Sequence, residues 1–239
     1  MIEGMAIDDL PLPVVNFLNA IGVPWPYLNE DTVSEFAVLV REFRQAIQTT
    51  HQDATETVAA ITRAHQSVST ERMQAGWENL TARHVDDLMA GCTVLADALD
   101  VAAGYIVTQK AAAIAVLAGM AAAFVADQVA SVVTLGAAEA AVPLIVEGAE
   151  ALVRSLAADL EQYVVGMVIT AAARPLFAKV EEALAGLDWS RSGTVTGTPT
   201  GFVLDPAAVR ALTAALRGHA AALHAHAAAF QQGVRALRF

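Results

Sequence analysis

One cysteine, Cys92, is all the thiol chemistry the chain holds. No internal disulfide can form, and cysteine usage leaves the redox compartment open. Its expected role is that of a small buried hydrophobe. Positive charge is scarce: 14 Lys+Arg face 25 Asp+Glu, giving a formal net charge of −11 with no basic cluster. Such a surface repels phosphate, so nucleic acid is not an expected partner and anionic lipid headgroups are poor ones. The opening MIEGMAIDDLPLP carries acids where a signal peptide has cations and lacks a long apolar run. It does not read as a general secretory signal peptide. No GxSxG, HExxH, P-loop or dinucleotide fingerprint occurs, so no enzymatic activity and no cofactor are expected.

What the chain has in excess is alanine and helical periodicity. Hydrophobic residues make up 56% of the 239, against about 45–50% in an average globular protein even with glycine counted in. Alanine is the best helix former, and a chain of this length removes roughly 70% of its unfolded surface on folding. An all-α fold follows: an elongated helical bundle built on a long antiparallel hairpin, with an additional C-terminal amphipathic helix.

Residues 1–31 are punctuated by Pro11, Pro13, Pro24 and Pro26, which predicts an irregular lead-in with a short helical turn near Val14–Ala20. Thr32-Val33-Ser34-Glu35 fits a capping box and predicts a helix start. Apolar residues then recur at Phe36, Val40, Phe43, Ile47, Ala54, Val58, Ile61 and Val68, in steps of three, four and seven. That is one face of a helix of about 35 residues, roughly 50 Å long. A second stripe runs Leu80, His84, Leu88, Cys92, Leu95, Leu99, Ala102, Ile106. The two predict a hairpin over 32–110, with its bend somewhere in 69–79.

The run Ala111–Ala126 has 16 residues without a charge, short of the ~20 needed to span a bilayer. It is mostly alanine and ends at Asp127. A buried core helix is the preferred reading, and a membrane-active segment over Ala111–Val133 is the alternative. Further apolar helices are expected to 187, with Pro175 kinking or restarting the last of them. Residues 188–204, within DWSRSGTVTGTPTGF, read as a flexible linker. Asp205-Pro206 opens the final helix, 205–239, whose stripe is Val209, Leu212, Leu216, His219, Leu223, Ala227, Phe230, Val234 and Leu237.

His219, His224 and His226 resemble a metal cluster only in composition. His224 points away from the face shared by the other two, and no acid or cysteine completes a tetrahedral set nearby. The pairs Asp86-Asp87 and Glu181-Glu182 read as solvated faces, since adjacent helical residues diverge too far to act as an acid–base couple. Trp77 admits two readings: an aromatic plug at the hairpin bend, or a recognition feature exposed there.

A long capped helix, Trp77 with a small polar residue two places on, and a second long helix together resemble the WXG superfamily of type VII (ESX) secretion substrates. Trp25-Pro26-Tyr27-Leu28-Asn29-Glu30-Asp31, Lys110 before the alanine-rich run, and Thr134-Leu135-Gly136 extend the likeness over about residues 20 to 185. The layout is most similar to the enlarged N-terminal domains of actinobacterial polymorphic toxins, including that of the mycobacterial channel-forming necrotizing toxin. The family's glycine two after tryptophan is Asn79 here, a residue still able to adopt a left-handed turn. The family's Tyr-x-x-x-Asp/Glu export signal follows the second hairpin helix. Tyr27 and Asp31 match its letters but precede the first helix, so a partner chain carries the signal or it lies beyond Phe239.

The resemblance implies a non-enzymatic targeting domain of a secreted effector, synthesised in the cytoplasm and exported or surface-displayed by a non-Sec route. It implies as partners a small helical WXG-like protein or the secretion ATPase, and a fused or downstream toxin domain. Recognition would involve Trp77, Asn79, Tyr27, Asp31 and Trp25. The alternatives are a membrane-inserting channel-forming module and a structural oligomerising bundle.

Overall fold

The computed structural model describes residues 10–26, 28–65, 67–80, 85–134, 142–178, 181 and 206–237. Among these the protein is all-α, without a strand. The helices are α1 (Leu12–Ile21), α2 (Glu30–Ala64), α3 (Val68–Leu80), α4 (Asp86–Thr134) and α5 (Val142–Val164). A π-helical stretch, Val165–Ala173, prolongs α5, and α6 (Pro206–Ala236) closes the described chain. The linker expected at 188–204 lies outside the described residues.

The ends of the first helices have local causes. Helix α1 ends where Gly22 takes φ 72°, and the Val23 N–H donates to the Leu18 carbonyl at 3.0 Å. A left-handed glycine with that back-bond satisfies carbonyls the helix leaves open. Helix α2 is capped by Asn29, whose Oδ1 accepts the N–H groups of Asp31 and Thr32 at 2.9 and 3.2 Å. The start therefore lies ahead of the capping box read at Thr32. Asparagine reaches the second and third N–H groups of the first turn as well as threonine does, so Thr32 is left inside the helix and buried.

The α2–α3 break also differs from expectation. Helix α2 stops at Ala64 and α3 begins at Val68, so this bend falls at 65–67, ahead of the expected 69–79. The Ser67 N–H donates to Thr70 Oγ1 at 3.0 Å, and the Thr70 N–H donates to Ser67 Oγ at 3.3 Å. This reciprocal cap is a capping box with threonine in place of glutamate. Helix α4 then runs through Lys110 without interruption. The π-helical turns precede Pro175, whose missing N–H withdraws a donor from the ladder just beyond them.

The chain gathers into two compact units, one of residues 1–35 and 98–169 with the last two residues, the other of 36–97 and 170–237. The first has its core in Val14, Phe17 and Leu18 of α1, Ile106 and Leu117 of α4, and Val153, Leu156 and Leu160 of α5. Phe17 packs on Phe124 with ring centroids 5.3 Å apart. Inside it Lys110, with 0% of its side chain exposed, donates from Nζ to Glu30 Oε2 at 2.8 Å.

The second unit buries the α2 stripe at Val40, Ile47, Ala54, Val58 and Ile61, and the α4 stripe at Cys92 and Leu95. Here Arg41 meets Asp97 at 3.4 Å, while Arg44 acts on the Cys92 thiol and His51 lies within reach of the Asp86 charge. As numbers rise on α2 they fall on α4, so the two helices are antiparallel. Burial pushes the Cys92 thiol up from its ordinary value, against the opposing pull of Arg44.

The apolar run is a partial correction to the buried-core expectation. Within 111–126 the buried residues are Ala113, Leu117 and Ala121, one every four, while Val116 and Val125 are exposed. A helix apolar on all sides, packed on one side only, leaves its other face uncovered.

Candidate partner-recognition surface

Trp77 sits in the third turn of α3, not at the bend. Its indole ring is half-buried and stacks on His51 of α2, centroids 5.6 Å apart and planes 15° apart. Indole Nε1 donates to Thr55 Oγ1 at 3.0 Å. Thr55 in turn donates to the His51 carbonyl at 2.9 Å, one turn back along α2. The N–H is thus satisfied and the ring orientation set by groups on a neighbouring helix, while part of the ring surface stays in contact with water. Burial lowers the His51 pKa from its ordinary 6.5, and the Asp86 carboxylate pulls the other way.

Asn79 belongs to α3, so the left-handed turn expected of it is not formed. The short interval between Trp77 and the end of the helix leaves Asn79 still inside it. Trp25 is 5% exposed, and its Nε1 lies buried without a hydrogen-bond partner. Asp31 is exposed in the first turn of α2, where a carboxylate is favoured by the helix dipole. Tyr27 lies outside the described residues. Of the positions singled out in the sequence, Trp25 and Asp31 belong to the first unit, and Trp77 and Asn79 to the second.

Two clusters escaped the sequence reading. In the second unit, α6 lies along α2. Phe230 stacks on Phe43 at 4.7 Å and meets Phe36 at 6.4 Å, while His226 Nε2 lies 3.0 Å from Thr50 Oγ1 and His219 Nε2 3.2 Å from Thr57 Oγ1. Two of the three histidines are thus engaged by threonine, His224 is exposed, and the described residues contain no group of three His, Cys, Asp or Glu able to hold a metal ion. In the first unit, Tyr105 and Tyr163 stack at 3.7 Å and 11°, and the Tyr105 hydroxyl donates to Asp159 Oδ2 at 2.6 Å. That hydrogen bond raises the Tyr105 pKa, because ionisation would remove the donated proton.

A helical hairpin and a tryptophan on the helix that follows its first arm point to one kind of protein. The profile of the WXG100-like domain family matches residues 7–160, more than half of the chain. The chain belongs to the WXG100-like family. No curated protein and no solved structure matches it. Its membership carries a secretion-associated role. The match spans α1 to most of α5 and leaves α6 outside the family's shared domain.

Proposed function

We propose that this WXG100-like chain is the targeting domain of a type VII-secreted effector or toxin, of the enlarged polymorphic-toxin kind. A small helical partner or the secretion ATPase reads it, and it leaves the cytoplasm by a non-Sec route. The observation that carries the reading is Trp77: a large aromatic held in a fixed orientation by His51 and Thr55 yet only half-buried. Oriented, partly exposed tryptophans are the residues on which binding energy concentrates. Asp31, exposed in the first turn of α2, supplies a second contact, with Tyr27 beside it in sequence. Asn79, two residues on from Trp77 in α3, belongs to the same proposed recognition region. The test is export and melting temperature of Trp77→Ala measured side by side. Loss of export with little loss of stability supports the reading; a mutant that melts far lower, yet is exported whenever folded, overturns it.

A second reading, membrane insertion, is favoured by one specific observation. Asp86–Val129 and Val142–Ala178 are long and apolar enough to cross a bilayer, and 17% and 24% of their most apolar windows are buried. Val101, Val116, Val125 and Val129 face outward on α4. Rapid leakage from dye-loaded neutral vesicles at low protein concentration would favour this reading, and intact vesicles would remove it.

A further inference from the structure

Helix α6 is packed on α2 in a repeating register. Phe36, Phe43, Thr50 and Thr57 recur every seven residues on α2, and His219, His226 and Gly233 do so on α6. His219 meets Thr57, His226 meets Thr50, Phe230 meets Phe43, and a Cβ at Gly233 would lie 2.9 Å from Leu39 Cδ2. The numbers run in opposite directions, so this is an antiparallel seven-residue seam of the coiled-coil kind. A side chain at Gly233 would press on the flexible end of Leu39, so the glycine lets the two helices approach closely there.

The seam is firm in register and weak in burial. No residue of α6 is fully buried. Two of its layers are His–Thr contacts, and polar layers of this sort fix alignment at a cost in stability. A cavity of about 160 Å³ remains between Leu39, Phe43, Ala46, His226, Ala229 and Phe230. Helix α6 also carries three arginines, Arg210, Arg217 and Arg235, and no acid, in a chain of net charge −11. It is a basic helix in an acidic chain.

We propose that α6 is an exchangeable helix and that the α2 face beneath it accepts α6 from a second copy of this chain, so that two copies assemble by trading C-terminal helices. The sequence on the page that complements the Phe36–Thr57 repeat is α6 itself, which makes a second copy the fitting occupant. Residues 182–205 join it to the preceding helix, and their fully extended reach is roughly 80 Å at about 3.3 Å per residue. Trading an identical element between protomers replaces each lost contact by the same contact, so little opposes it. This inference stands apart from the Trp77 reading, since it involves a different face of α2.

The test uses the full chain with Cys92 replaced by alanine. One copy carries Thr57→Cys and a differently tagged copy carries His219→Cys; the two are co-expressed and oxidised. Exchange gives the mixed disulfide as the main product, and light scattering of the unsubstituted chain gives about twice its 24.9 kDa mass. Phe230→Ala is expected to lower the mixed disulfide at least tenfold and return the chain to a monomer. The proposal is overturned if the chain is monomeric at tens of micromolar and the disulfide forms only when both cysteines share one chain. It is equally overturned by a dimer that survives Phe230→Ala unchanged.

Discussion

Among the described residues an ion pair ties α2 to α4 in each unit, Lys110–Glu30 in the first and Arg41–Asp97 in the second, and the two differ in almost everything but chemistry. Lys110 and Glu30 meet at 2.8 Å with 0% and 5% of their side chains exposed. Arg41 and Asp97 meet at 3.4 Å with 44% and 68% exposed. In water the second pair gives up little solvation and gains little attraction. In the core of the first unit each charge has lost its water, and the attraction of the partner offsets part of that loss. The same pair of helices is thus held at one position by a contact that tolerates no single deletion and at another by one that could be removed almost unnoticed.

The largest effect that would sharpen this contrast is Lys110→Met, expected to cost about 3–5 kcal/mol because it removes the ammonium that faces the buried Glu30 carboxylate. Denaturant melts would measure it. The matching double variant, Glu30→Leu with Lys110→Met, should recover most or all of that loss, since apolar replacement of a buried pair is often neutral or stabilising. A double variant as unstable as the single one would show that the ion pair was not the source of the cost. Trp77→Ala comes next, at about 1 kcal/mol, the scale of an ordinary substitution at a half-buried site.

A smaller effect belongs to pH. Burial lowers the His51 pKa below its ordinary 6.5, so the unfolded chain binds the proton more readily than the folded one. The stability linked to His51 is complete above pH 6.5 and is lost as pH falls from there through the lowered folded value. The melting temperature of His51→Gln should therefore vary less with pH than that of the parent between pH 7 and 5. An unchanged slope would remove His51 from the account. Smallest of all is Asp97→Ala, expected within about 0.5 kcal/mol of the parent in the same melts; a loss near that of Lys110→Met would erase the comparison.

Much of this architecture was legible. The α2 stripe through Val40, Ile47, Ala54, Val58 and Ile61 is buried as its spacing requires, because residues three and four apart share a face whatever packs on it. The boundaries were less legible. Thr32 begins a good capping box, but Asn29 is an equally good cap three residues earlier, and sequence alone does not rank them. On α6 the expected stripe included Leu223 and Ala227, whereas the face on α2 uses His226 and leaves Leu223 exposed. Periodicity tells which residues lie together; it does not tell which neighbour will cover them. The threonines Thr50 and Thr57 gave a signal that could have been used, since they continue the seven-residue spacing of Phe36 and Phe43. The candidate site was read mainly through resemblance. It located Trp77 as a residue of interest but not its place inside a helix, because the Ser67–Thr70 cap that starts α3 is a short polar pattern among several in that stretch.

The single thiol has a practical meaning for a chain whose family is associated with secretion. Cys92 is 3% exposed and its proton is held more tightly than usual, so an alkylating reagent reaches it chiefly when α2 and α4 part. With no second cysteine to contribute background, the rate of labelling times the opening of the hairpin in the intact protein. The same residue can therefore report whether a bound partner slows that opening or hastens it.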